Sequence, residues 1–146
     1  MSDLGFPPSV ETLEGASIVE VRTSASAALI ATIRAVASDL AARADFDLDA
    51  ISDLRMAVDE ACATLVDVAA PSSTLRCTFL VRPERIEVHA EVHAGQADAA
   101  VSTDTFGWRV LQTLADDVQA LRIPGTDGAG PTVGIRLDKH AGDPSR

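Results

Sequence analysis

Four places in the chain carry residue types and spacings that can do chemistry. The first is the acid pair Asp59-Glu60 in the run LRMAVDEACATL. A carboxylate beside the apolar stripe of a helix can serve as a general base when it faces a cleft. On this fragment alone, the plainer reading is a solvated helix charge. The second is Phe106-Gly107-Trp108, where a glycine at a helix start lets backbone come close to a phosphate and the helix N-terminus favours anions. It is also a plain helix start after a loop. The third is the run from Gly125 to Gly130, GTDGAG, a composition that can cradle phosphates but more commonly turns the chain. The fourth is the pair His89 and His93, which a strand would place on one face. No further ligands are spaced to complete a metal site there, so none is assigned.

These residues need elements to position them, and the apolar pattern supplies a set. Ala16 to Arg22 alternates and predicts a strand, after which Ser24 or Ser26 can cap a helix. Ala27 to Ala42 carries Leu29, Ile30, Ile33, Val36, Ala37 and Leu40 at helical spacing. A second helix, Leu48 to Ala69, buries Ile51, Leu54, Val58, Cys62, Leu65 and Val66, and ends at Pro71. Thr74 to Val81 and Arg85 to His93 are rich in β-formers, and Arg82-Pro83-Glu84 makes them a hairpin. Ala94 to Thr105 has no period and reads as loop. Phe106 to Val118 predicts a third helix, Ala120 to Ile123 a short strand, and Thr132 to Asp138 a closing strand. Met1 to Gly15 reads as a loose arm and Lys139 to Arg146 as a frayed tail, leaving residues 16–138 as the domain. The order β-α-α-β-β-α-β-β predicts an α/β protein of the α+β two-layer type, with helices on one face of a mixed, mostly antiparallel sheet.

Composition narrows the function. The chain has 146 residues and a net charge of −10, the reverse of the basic footprint that phosphate neutralisation demands. With no tyrosine and one tryptophan, Trp108, it also lacks stacking platforms for bases. Nucleic acid and anionic membranes are therefore poor partners, whereas basic protein surfaces can be steered toward it. No apolar run approaches the roughly 18 residues of a membrane span, and residues 1–10 lack a basic start followed by an apolar run. Cys62 and Cys77 have no CxxC spacing, which suits a reducing cytoplasm and a role as small buried hydrophobes.

Taken together, DLRMAVDEACATL, FGWRVLQTLADDV and GAGPTVGIRL resemble the GHKL-type ATP-binding domain in its small RsbW-type anti-sigma version, over residues 16–138. That resemblance implies an anti-sigma factor that sequesters a SigF-type sigma factor as a homodimer. A STAS-domain anti-anti-sigma protein competes for the same surface. Many members also phosphorylate that antagonist on serine with Mg-ATP, which makes an active serine kinase the alternative reading. Carried over by position, Glu60 is the catalytic base, and Glu60, Thr64, Gly107, Gly128 and Gly130 line the nucleotide site. Arg34 contacts partners, and the first helix with the loop before the third forms the partner surface. Two positions depart from the family. Thr64 stands where an Mg²⁺-binding Asn is expected, and Val92-His93-Ala94-Gly95-Gln96 lacks the Asp that reads adenine. Loss of such a buried carboxylate weakens binding by ~1–3 kcal/mol. ATP and Mg²⁺ binding is therefore expected to be weak or lost and kinase activity doubtful, while sequestration survives.

Overall fold

The computed structural model describes residues 15–142; the arm as far as Glu14 and the tail from Asp143 lie outside it. Strand β1 is Ser17–Ser24. Ser26 then caps a short 3-10 turn, Ala27–Leu29, its hydroxyl accepting from the Ala28 amide at 3.3 Å. Helix α1, Ile30–Arg43, continues from that turn. Helix α2 is Leu48–Val68, and the carboxylate of Asp47 caps it by accepting from the Ala50 amide at 2.7 Å. Strands β2 (Thr74–Arg82) and β3 (Arg85–His93) form the expected hairpin, with Glu84 at φ 63° in its two-residue turn. Helix α3 is Phe106–Leu114, followed by β4 (Asp117–Ile123) and β5 (Thr132–His140).

The five strands lie in the order β1-β2-β3-β5-β4, and each neighbouring pair is antiparallel. The sheet is thus antiparallel throughout. One face, carrying Cys77, Phe79, Val88, Ala90, Ile135 and Leu137, packs under the helices and forms the core with Ile33, Leu54, Leu65 and Leu111. The two cysteines are both fully buried there, and a thiol–thiol hydrogen bond together with burial pushes the Cys77 thiol up.

The opposite face carries charge. Arg136 grips Glu87 with two bonds, Nε to Oε2 at 3.1 Å and Nη2 to Oε1 at 3.2 Å, and reaches Asp117 at 3.3 Å. His89 Nε2 also hydrogen-bonds Glu87, and Arg85 pairs with Asp138 at 2.9 Å. Glu87 is only 1% exposed. Burial alone would raise its pKa, but hydrogen bonds from His89 and Arg136 outweigh it and hold the carboxyl at about 2.

Strand β1 runs on to Ser24, the first helix begins as a 3-10 turn, and β4 starts at Asp117 rather than Ala120; two further boundaries differ with a clear cause. The third helix stops at Leu114, not Val118, because the backbone after it is taken by the sheet: the Asp116 amide donates to Asp138 O at 2.8 Å and Val118 pairs with Leu137. Propensity yields to strand pairing here. The closing strand runs on through Lys139 and His140, which were read as tail. Lys139 lies on the helix side of the sheet, where its ammonium donates to Leu114 O at 2.9 Å and to Asp53 at 3.3 Å. A cation at the C-terminal end of α3 also suits the helix dipole.

Candidate functional site

Helix α2 is the spine of the site. Its buried stripe, Ala50, Leu54, Ala57, Val58, Ala61, Cys62 and Leu65, fixes its rotation against the sheet. That rotation sends consecutive residues to different neighbours, since each step along a helix turns the side chain by about 100°.

Glu60 and Thr64, one turn apart, are half-buried. The Thr64 hydroxyl donates to Glu60 Oε2 at 3.2 Å. The same carboxylate packs against Gly107 at the start of α3, where a Cβ would come within 2.5 Å of Oε2. Helix α3 is held in place by its cap, Thr105, whose hydroxyl accepts from the Trp108 amide at 3.1 Å, and by the buried Trp108 and Leu111. Glu60, Thr64 and Gly107 are therefore brought together, and the end of the Glu60 side chain occupies the space where a Gly107 side chain would stand.

Gly128 and Gly130 belong elsewhere. Gly128 has φ +81° in a turn closed by the Ala129 amide donating to Thr126 O at 2.9 Å, and a Cβ there would meet nothing within 4 Å. Gly130 is required by a close approach: its Cβ would fall 2.2 Å from Ala94 O, near the far end of α2, where the Gly95 amide donates to Val68 O. A cavity of about 490 Å³ lies here, lined by Asp67, Val68, Gly95, Gln96 and Asp98 among others. Val68 lies two turns beyond Glu60, a rise of about 12 Å. The loop over this cavity is pinned by Arg122, whose guanidinium donates to Ala97 O and Ala99 O, each at 2.9 Å. Sequence reasoning missed Arg122, because a lone arginine on an edge strand carries no signal of the loop it will clasp.

On the other flank, Arg34 of α1 faces α2. Its Nη1 donates to Asp59 Oδ1 at 2.8 Å, with the two side chains 41% and 45% exposed. Arg34, Asp59, Arg55 and Met56 line a second cavity of about 400 Å³.

Comparison with known proteins decides the family. Residues 23–136 match the histidine kinase-like ATPase domain. The chain belongs to that family. It is also 36% identical over 135 residues to the anti-sigma-F factor RsbW of Mycobacterium tuberculosis, in both strain CDC 1551 / Oshkosh and strain ATCC 25618 / H37Rv. The alignment covers 90% of this chain and 79% of each relative.

Within the histidine kinase-like ATPase family, two positions of this chain depart from the Mg-ATP contacts that the resemblance implies. The Thr64 hydroxyl, which donates its hydrogen to Glu60, stands where the resemblance expects an Asn carbonyl. Among residues 92–96 there is no carboxylate, and the glycines expected at the phosphates lie as a turn and as packing against Ala94 O. Among the described residues, no helix is long and apolar enough to cross a membrane.

Proposed function

We propose that this protein is an anti-sigma factor: it sequesters an alternative, SigF-type sigma factor in the cytoplasm, and a STAS-domain anti-anti-sigma protein releases that sigma factor by competing for the same surface. The observation that carries this reading is the 36% identity to anti-sigma-F factor RsbW across most of both chains. Two features support it locally. Arg34, expected at the partner surface, is two-fifths exposed. Phe106, at the start of α3 beside the loop expected to join that surface, is 79% exposed, as an apolar contact side chain must be. The protein acts as a homodimer. Nucleotide binding is weakened or lost and sequestration does not depend on it, a reading supported by Thr64 and by the loop at residues 92–96.

Isothermal titration tests the proposal. The purified protein is titrated with the SigF-type sigma factor of its own organism, with and without Mg-ATP. Firm sigma binding in both conditions, and no tight binding of Mg-ATP alone, is expected. Absence of sigma binding would overturn the anti-sigma reading. Tight Mg-ATP binding with phosphorylation of the anti-anti-sigma protein would make the kinase alternative the better one.

A further inference from the structure

The loop between β3 and α3, residues 94–105, is poor in groups that could hold it. Ala94, Ala97, Ala99 and Ala100 are small. Such side chains bury little area, so they offset little of the entropy lost when a backbone is ordered. The two ends of the loop are tied. At the first, the Ala94 amide donates to Pro131 O at 2.8 Å and the Gly95 amide to Val68 O at 3.1 Å. At the second, Val101 is buried and Thr105 caps α3. Between them a turn, closed by the Ala99 amide donating to Gln96 O at 3.1 Å, stands over the cavity of about 490 Å³. Arg122 reaches this turn from the edge strand β4, its Nε donating to Ala99 O and its Nη2 to Ala97 O, each at 2.9 Å. Among the described residues, no other hydrogen bond joins residues 96–104 to a helix or strand. A planar guanidinium across two carbonyls of one turn fixes orientation as well as distance, which a lysine ammonium, a point charge, does not.

We propose that Arg122 is a positioning residue for sigma-factor recognition. The proposal rests on the anti-sigma reading, with the loop before α3 as part of the partner surface. Arg122 acts through that loop and not by touching the partner. By holding Ala97 O and Ala99 O it presents the loop already shaped, so that binding does not have to order it. Residue 122 pairs with Val133 of β5, so the clasp refers the loop to the sheet and leaves the cavity beside α2 open beneath it. With the clasp removed, only the fraction of molecules whose loop is in place can bind, and apparent affinity falls by that fraction.

The test uses the full chain as wild type, Arg122→Ala and Arg122→Lys, with the SigF-type sigma factor of its own organism as the probe. Amide hydrogen exchange is measured on the free proteins, and association and dissociation rates are measured with sigma factor. Arg122→Ala is expected to raise exchange at residues 97–104 at least fivefold and to leave β2, β3 and β5 unchanged. Its urea midpoint is expected to match wild type, as suits an exposed edge position. Its affinity for sigma factor is expected to fall about tenfold, the scale of a charge-assisted hydrogen bond. That loss should lie in the association rate, because fewer molecules are competent at any moment. Arg122→Lys is expected to fall between the two, since it keeps the charge and loses the fork. Unchanged exchange in the loop overturns the proposal, and so does a loosened loop with unchanged sigma affinity. A loss confined to the dissociation rate would make Arg122 a direct contact and overturn the positioning role. These outcomes leave the anti-sigma reading standing. If wild type itself binds no sigma factor, the anti-sigma reading fails and the role of Arg122 falls with it.

Discussion

Two guanidinium–carboxylate clusters in this molecule use the same chemistry to opposite ends. Arg136 and Glu87 lie on the helix-free face of the sheet, joined by a two-pronged grip, with His89 as a third partner and Glu87 1% exposed. Arg34 and Asp59 bridge α1 and α2 by one bond, each side chain about two-fifths exposed. Burial makes the first a fixture, because any charge stripped of its partner there stays desolvated. Exposure leaves the second free to trade, because water replaces a lost partner. The difference teaches that the exposed pair, although weaker, is the one suited to recognition.

The comparison can be broken most directly at Glu87. Glu87→Ala leaves Arg136 and His89 without their common acceptor, and a loss of about 3–5 kcal/mol is expected in urea unfolding at pH 7. A loss below 1 kcal/mol would mean that the buried cluster is no more structural than the exposed one.

Acid should separate the two next. Glu87 has a folded pKa of about 2 against an ordinary 4.5. A depressed carboxyl contributes stability that is fully present above pH 4.5 and is lost as pH falls toward 2, because the unfolded chain binds the proton first. The shift corresponds to roughly 3 kcal/mol. Unfolding free energy measured between pH 5 and pH 2 should fall by about that much more in wild type than in Glu87→Gln, which has no carboxyl to protonate.

Two glycine substitutions sharpen the same contrast between fixed and yielding neighbours. Gly130→Ala drives a Cβ into a backbone carbonyl, whereas Gly107→Ala meets the end of the flexible Glu60 side chain. The first should cost about 1–3 kcal/mol and the second under about 1 kcal/mol in thermal or urea unfolding. Equal costs would show that Glu60 is held as rigidly as backbone.

The smallest effect is expected at the exposed pair. A double-mutant cycle on Arg34→Ala and Asp59→Ala should give a coupling of about 0.2–1 kcal/mol in stability. A coupling of 3 kcal/mol would make the pair structural and remove the basis for exchange.

Much of the architecture was legible because apolar period is a local property. The rotation of α2 follows from Leu54, Val58, Cys62 and Leu65, and the β2–β3 hairpin from its alternation around Pro83-Glu84. The reading failed where long-range pairing overrides local pattern: at Asp117 and Val118, drawn into β4 by β5, and at Lys139, a charged residue whose strand position depends on Leu114 O and Asp53. Of the site, the grouping of Glu60, Thr64 and Gly107 was readable through resemblance. The separate placement of Gly128 and Gly130 was not, since a glycine's reason lies in the atom that crowds it.

By itself the sequence determined the element order, the face of each helix that goes inside, the acidic character of the chain, and the absence of the Asn and Asp that the resemblance expects. These depend on residue identity and short spacing. Tertiary structure alone decided which charge meets which. Asp59 and Glu60 are adjacent in the chain, yet one faces Arg34 and the other Gly107. One step along a helix is about 100° of rotation, and only the packing of α1 and α3 on either side of α2 settles what stands at each angle.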